Sequence, residues 1–371
     1  MRQTDHNEDY VNLLNLELPR VEHLSGHPLA LDLFAGCGGL ALGFESAGFR
    51  TKAFESDPDA CSTYNGNLAG RCNQVFLVPG ADLTDEKNVD LIIGGPPCQP
   101  FSVVGSQLGK RDRRDGFPAF ISAVERYSPK LAVFENVRGM LYRNKAYFSQ
   151  VKAALRDLGF AVSWRVLNAS HFGVPQNRER LIVVAHKVEW RFPEPITAHN
   201  PFVVGQAFWG LDDEVNNGHR ILTPSMDRYI AAYEARSQCI NPRDLSPQRP
   251  SRTVTCRNLY GATADMLRIK LGDGRRRMLT EREAARLQSF PDWFVFSGPD
   301  SKRFDQIGNA VPPLLAKSLG VEAMKAIMRP TLPTKQIREL NELDEQFSLY
   351  WTAEDHGWNE KNQVAADSGR N

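Results

Sequence analysis

No run in this sequence comes near the roughly 20 consecutive apolar residues needed to cross a bilayer, so a membrane-spanning protein is not expected. The opening residues, Met1 to Asp9, hold no apolar signal core, and a cytoplasmic location is the expectation. Cysteine is scarce. The six present never fall as Cys-x-x-Cys, which argues against a disulfide framework or a cysteine-rich metal site and predicts reduced thiols and no metal. Internal repeats are missing, which excludes a solenoid. Net charge is nearly missing too: 45 Lys and Arg face 44 Asp and Glu, so overall charge names no nucleic-acid partner. What the chain does have is 371 residues at 42% hydrophobic, enough to bury a sizeable core in one large domain or two modest ones.

The charge is unevenly spread. Residues 238–277 carry nine Lys or Arg against three Asp, whereas residues 331–371 carry four against eight Asp or Glu. The basic stretch fits phosphate contact and an ordinary solvated face equally well. Short apolar runs, Leu29 to Phe34, Leu91 to Ile93, Leu131 to Phe134 and Leu181 to Ala185, alternate with helix-like segments such as Phe120 to Tyr127 and Tyr147 to Leu158. That alternation predicts a doubly wound α/β sheet, whose ligands bind beyond the carboxyl ends of the strands. Beyond about residue 186 proline, asparagine and arginine take over, which predicts a smaller, loop-rich second domain. The boundaries read as an extension over 1–28, a main domain over 29–185, a second domain over 186–290, a return segment over 291–330 and an acidic polar tail over 331–371. Thr280 and Glu283 have capping-box spacing for a helix over 280–288, and Val311 to Met328 has helical periodicity.

Several strand ends carry chemistry. Leu29 to Phe34 runs into Ala35-Gly36-Cys37-Gly38-Gly39 and an amphipathic helix start, and the bare amides of such a turn bind an anionic or zwitterionic group. A dinucleotide site or a merely tight turn uses the same pattern. Glu55 closes the next strand, Arg50 to Phe54, where a carboxylate can accept two ribose hydroxyls. Asp82 reads as closing a further strand, Val75 to Val78, placed to accept from an adenine amino group. Leu91 to Ile93 opens into Gly94-Gly95-Pro96-Pro97-Cys98-Gln99-Pro100-Phe101-Ser102. The glycines permit close approach and the prolines stiffen the turn, so Cys98 is presented from a fixed rim as a nucleophile instead of being packed as a small hydrophobe. Glu135, Asn136 and Val137 follow Leu131 to Phe134 on the same sheet edge, where burial would raise the Glu135 pKa and suit it to proton donation. Gln176-Asn177-Arg178-Glu179-Arg180 sets Arg178 and Arg180 on one face of an extended chain.

Gly94 to Ser102 closely resembles the catalytic motif of the cytosine-C5 DNA methyltransferases, and Phe34 to Gly39 resembles the S-adenosylmethionine motif of the same family. Glu135-Asn136-Val137, Gln176-x-Arg178-x-Arg180, Arg277 to Pro291 and Gly308-Asn309-Ala310-Val311-Pro312-Pro313 resemble further family motifs, in family order over about residues 29–328. The resemblance implies a Rossmann-like, S-adenosylmethionine-dependent catalytic domain over 29–185 and a target-recognition domain over 186–290. It implies Phe34 stacked on adenine, Ala35, Gly36, Gly38 and Gly39 along the methionine part, Glu55 on the ribose and Asp82 on the base. Pro97, Asn309 and Val311 would complete that pocket. It further implies that Cys98 adds to cytosine C6 and that Glu135, with Asn136 beside it, protonates N3. Arg180 would hold O2 and Arg178 support the pocket.

Arg249 to Thr255 resembles the threonine-containing segment that ends the family's variable recognition region. Thr253 is placed there for a phosphate, and Arg252, Arg257 and Asn258 have the chemistry for guanine or adenine edges. Residues 103–116 carry Lys110, Arg111, Arg113 and Arg114 among glycines beside the thiol, a basic loop suited to closing over DNA while a base is flipped. The implied partners are double-stranded DNA, methylated at a short specific sequence by a monomer, and a restriction endonuclease sharing that sequence. A family member acting on transfer RNA and a catalytically silent binding module are the competing readings. Intact Cys98, Glu135 and Arg180 weigh against the second.

Overall fold

In the computed structural model of the chain, residues 9–22, 24–86, 88–97, 115–211, 220–236, 243–260 and 265–350 are described. Five parallel strands, β1 (Leu29–Leu33), β2 (Arg50–Glu55), β3 (Arg71–Gln74), β4 (Leu91–Gly94) and β5 (Leu131–Val137), form most of one sheet. It is completed by β6 (Ala161–Asn168) and, after the two-residue β7 (Gln176–Asn177), by β8 (Glu179–His186), which runs antiparallel to both β5 and β6. The order is β3-β2-β1-β4-β5-β8-β6, so the doubly wound α/β expectation is borne out. The winding reverses between β1 and β4, and the crevice beyond their carboxyl ends is where such a sheet binds ligands.

Every residue of β1 and β4 is buried, as expected for strands covered on both faces. Helices α1 (Asp9–Glu17), α2 (Gly39–Ser46), α3 (Pro58–Asn67), α4 (Phe117–Tyr127) and α5 (Lys145–Asp157) belong to the first half of the chain. On one face of the sheet Phe120, Val124, Val151 and Leu155 from α4 and α5 meet Leu31, Ile92 and Phe134. On the other, Leu42 and Phe44 of α2 share a cluster with Ile93, Val133 and Ile182.

The second half contributes α6 (Val204–Ala207), α7 (Pro224–Arg236), β9 (Ser251–Arg252), α8 (Cys256–Leu259), the antiparallel pair β10 (Arg268–Lys270) and β11 (Arg276–Met278), and α9 (Glu281–Leu287). It ends in α10 (Asp300–Asn309), α11 (Pro313–Ile327) and α12 (Thr334–Tyr350). Thr280 caps α9 as its spacing predicts, accepting from the Glu283 amide while Glu283 accepts from that of Thr280. Leu222, Ile230, Met266 and Met278 form a small cluster of their own, whereas Val204, Val254, Leu259 and Leu267 join the main core. Helix α11 packs on α2 so closely that a Cβ on Gly43 would come 2.4 Å from the Lys317 amide nitrogen.

One expectation needs correction, and both chain ends add contacts to the core. The strand expected over Val75 to Val78 lies earlier, at Arg71–Gln74; Val75, Phe76 and Val78 are exposed and border a recess instead. In the N-terminal extension Tyr10, Leu14 and Leu18 are core residues, and the Tyr10 hydroxyl donates to the Arg286 carbonyl at 2.6 Å. The acidic tail starts with a docked helix. Asn341 of α12 accepts from the Val162 amide at 3.0 Å and donates to the Phe160 carbonyl at 2.9 Å, while Asp344 pairs with Lys152 at 2.8 Å. The Asn341 amide thus occupies the start of the open β6 edge, a place that would otherwise invite pairing with another strand, while the acids Asp344 and Glu345 hold α12 to Lys152 and Arg156 of α5. No helix among the described residues is long and apolar enough to cross a membrane.

Candidate active site

The turn after β1 is built on left-handed backbone. Phe34 (φ 60°), Gly36 (φ 54°) and Gly38 (φ 92°) all have positive φ, and Phe34 adopts it despite carrying a side chain. Glu55, at the end of β2, fastens this turn: one carboxylate oxygen accepts from the Gly36 amide at 2.8 Å, the other from the Ser56 and Asp57 amides at 2.7 and 2.9 Å. Opposite stands the loop after α10. A Cβ on Gly39 would lie 2.5 Å from the Val311 carbonyl oxygen, so the helix start and the return loop are in direct backbone contact. Gly308 is fixed in the same way, with the Cys256 amide nitrogen 2.1 Å from where its Cβ would stand.

Between these walls lies a cavity of about 470 Å³ that reaches from Phe34, Gly36 and Glu55 to Asn309 and Val311, with Pro97 and Glu135 at its other side. A recess of about 760 Å³ adjoins it, sharing Phe34, Glu55 and Pro97 and walled by Val75, Phe76 and Val78. Asp32 borders the first cavity from inside β1. It is fully buried and neither of its oxygens has a hydrogen-bond partner. Burial holds its carboxyl well above the ordinary carboxylate range, and repulsion from Glu55 and Glu45 adds to this. A buried acceptor pair left in this state is costly, and a cationic ligand group would relieve it. Cys37 also borders the cavity, but burial pushes its thiol up to about 12, which leaves it neutral and a poor nucleophile.

At the Pro97 side three strand ends converge. The Asn136 amide donates to the Pro96 carbonyl at 3.1 Å and so holds the start of the turn that leads to Cys98. In the β5–β8 register Val137 faces Arg180 and Glu135 faces Ile182, which makes Glu135 and Arg180 diagonal neighbours on one face. They pair at 2.8 Å with both side chains largely buried. Arg178 points elsewhere. It is 2% exposed and donates to the carbonyls of Val254 at 2.6 Å, Gly308 at 3.3 Å and Ala310 at 2.9 Å. Arg178, expected to support the pocket, ties the start of β8, the 251–255 segment and the return loop together.

A family model described as C-5 cytosine-specific DNA methylase matches residues 30–325. The chain belongs to the C-5 cytosine-specific DNA methylase family. Among curated relatives, the Type II methyltransferase M.AplI of Arthrospira platensis is 51% identical over 88% of this chain and 94% of its own. M.NgoMIV of Neisseria gonorrhoeae, also a Type II methyltransferase, is 33% identical over 81% and 98%. Among solved structures, the Dnmt2 methyltransferase of S. pombe aligns with a TM-score of 0.65 at 19% identity, covering 80% of this chain and 98% of that one. This C-5 cytosine methylase is accordingly an enzyme that methylates DNA cytosine at C5.

The structure of the methylase brings Phe34, Ala35, Gly36, Gly39, Glu55, Pro97, Glu135, Asn309 and Val311 to one cavity. Gly38 sits behind it, where a Cβ would collide with Leu68 and Tyr64. Asp82 is not brought there; its exposed carboxylate pairs with Arg126 at 2.9 Å. Cys98 and the loop residues Lys110, Arg111, Arg113 and Arg114 lie outside the described residues. Thr253 donates to the Asn177 carbonyl at 2.8 Å, beside the parallel pairing of Asn177 with Arg252. Arg257 is exposed on α8. Asn258 is a correction: it is 1% exposed, its amide spent on the Thr255 nitrogen and the Thr253 carbonyl, so it shapes the turn and cannot reach a base. The sequence reading missed Asp32, Lys302 and Gln306, all of which border the cavity. For Asp32 the signal was available, a carboxylate in the middle of an apolar strand. No group of three or more His, Cys, Asp or Glu among the described residues could hold a metal ion.

Proposed function

We propose that this methylase is the modification enzyme of a restriction-modification pair, methylating one cytosine in a short duplex DNA sequence with S-adenosylmethionine as donor. The observation that carries this reading is the juxtaposition of a cavity suited to a cationic nucleoside with the strand ends bearing the thiol turn and the Glu135–Arg180 pair. The cavity fits the donor on its own chemistry: unpartnered Asp32 for positive charge, close-packed glycine backbone for the amino-acid part, Glu55 for ribose hydroxyls, and Phe34 with the apolar recess for a purine. When bound, the donor supplies an electrophilic methyl group carried on a sulfonium.

The protein's part is to make cytosine a nucleophile at C5. The Cys98 thiolate adds to C6, forming a carbon–sulfur bond and pushing an electron pair toward C5. Glu135 faces N3 and holds the proton that neutralises the ring, and Arg180, fixed by its 2.8 Å contact to Glu135, faces O2. Once C5 carries the methyl group its proton leaves, the C6–S bond breaks, and the thiolate and the aromatic ring are regenerated. Arg178 keeps this edge in register with the 251–255 segment, which belongs to the target-recognition domain. The Type II methyltransferase names of the relatives support the modification role, and a partner endonuclease of the same specificity and a cytoplasmic setting go with that role as part of the proposal.

Duplex DNA made with 5-fluorocytosine tests the chemistry, because fluorine at C5 blocks the proton loss that releases the enzyme. With S-adenosylmethionine present, a stable protein–DNA adduct is expected, mapped by mass spectrometry to the Cys98 peptide and missing in Cys98→Ala. An adduct on another residue, or one that survives in Cys98→Ala, overturns the mechanism.

A further inference from the structure

Three of the nine basic residues in 238–277 are spent on acids within the fold. Arg268, with a fully buried side chain, pairs with Glu234 and Asp244; Arg277, at 1% exposure, pairs with Glu283; Arg276 pairs with Asp244 and Asp227. One cluster is built differently. Arg252 Nη2 and Arg243 Nε approach the same oxygen, Oδ1 of Asp265, at 2.8 and 3.2 Å. The three come from separate segments and keep side-chain exposures of 34%, 23% and 38%, so the group is fixed yet open to solvent.

Its position is tied to the chemistry. Arg252 is the second residue of β9 and lies opposite Asn177 of β7, with Thr253 bonded to the Asn177 carbonyl. Three residues beyond Asn177 is Arg180, in contact with Glu135. The cluster is therefore joined to the catalytic edge by one short strand pair.

We propose that Arg252 and Arg243, held by Asp265, read a G·C base pair of the target in the major groove, with Asp265 as the residue that sets their orientation. The inference rests on the DNA methylase reading. A guanidinium matches the N7 and O6 acceptors of guanine, and a carboxylate matches the N4 amino donor of the paired cytosine. The cluster presents these groups side by side, since both arginines bind Oδ1 and Oδ2 takes part in neither contact. A phosphate is the poorer partner, because it would bring its negative charge against the Asp265 carboxylate.

The test uses the full-length protein, S-adenosylmethionine and a duplex library covering the wild-type target and every single-base-pair change in it. Asp265→Ala and Arg252→Lys, the latter keeping charge without the planar fork, should both lose at least tenfold of the discrimination at one and the same G·C pair. Asp265→Asn, which keeps the shape, should lose less. Discrimination unchanged at every position overturns the inference, and so does a uniform fall over all sites with a shallower salt dependence, the mark of a phosphate contact. Should Asp265→Ala fail to fold, Arg252→Lys and Asp265→Asn decide the matter alone. A wild-type protein that methylates no duplex DNA removes the functional reading along with the inference, whereas intact discrimination in the variants removes the inference alone.

Discussion

Asp32→Asn exchanges one buried side chain for another of the same shape and removes the charge that β1 carries into the core. In the free protein the Asp32 pKa is raised by burial, with Glu55 and Glu45 contributing repulsion, while in the unfolded chain it returns to about 3.9. Between those two values the folded state binds more protons than the unfolded state. Stability must therefore fall as pH rises through that window, by about 1.4 kcal/mol for each pH unit, and level off above the folded value. The Asn variant lacks this contribution, so its advantage over wild type should be small near pH 4 and grow as pH rises. Urea unfolding of the ligand-free proteins by circular dichroism, from pH 4 to 8, reads the difference directly. The methyl donor should reverse the ranking: wild-type affinity for S-adenosylmethionine rises with pH over the same window, and the Asn variant binds more weakly without that rise. Parallel stability curves for the two proteins would refute the assignment of Asp32 as a buried, unpartnered acid.

Arg178→Met strands three buried carbonyls and should cost at least about 3 kcal/mol in urea unfolding; a smaller loss would contradict the bracing role given to Arg178. Gly39→Ala pushes a methyl group against the Val311 carbonyl oxygen and should cost about 1–3 kcal/mol while weakening donor binding by isothermal titration; undiminished binding would show that this wall lies away from the ligand. Glu135→Ala should lower kcat by about 100-fold or more while DNA binding in a gel-shift assay persists, and full activity would remove Glu135 from the chemistry. Asn341→Ala takes both partners from the β6 edge, so limited proteolysis should cut within α12 well before the sheet; unchanged cleavage would contradict the docking of that helix.

The sheet was legible because its strands are short apolar runs with turn residues between them, and the runs at Leu29, Leu91, Leu131 and Leu181 all became strands of it. Val75 to Val78 misled for a physical reason. The real edge strand, Arg71–Gln74, buries one side chain, Cys72, and so shows little apolar pattern, whereas the apolar run beside it walls a recess. Helix α1 was hidden and α12 showed only an amphipathic turn at Ile337, Leu340 and Leu343, because their anchoring is non-local: Tyr10 bonds to a carbonyl 276 positions away and Asn341 to an amide 179 positions away. Charge counting overstated the basic segment because acids outside the counted window, Asp227, Glu234 and Glu283, neutralise arginines within it. At the site, glycine turns and carboxylates at strand ends were readable from spacing. The orphaned state of Asp32 and the separate tasks of Arg178 and Arg180, two residues apart, required the packed structure.

One reaction tests the methylase most directly. Purified protein incubated with S-adenosylmethionine and unmodified genomic DNA, followed by mapping of 5-methylcytosine at base resolution, should show methylation confined to one short motif. An unmodified genome, alongside methylated transfer RNA or with no product on either substrate, would contradict it.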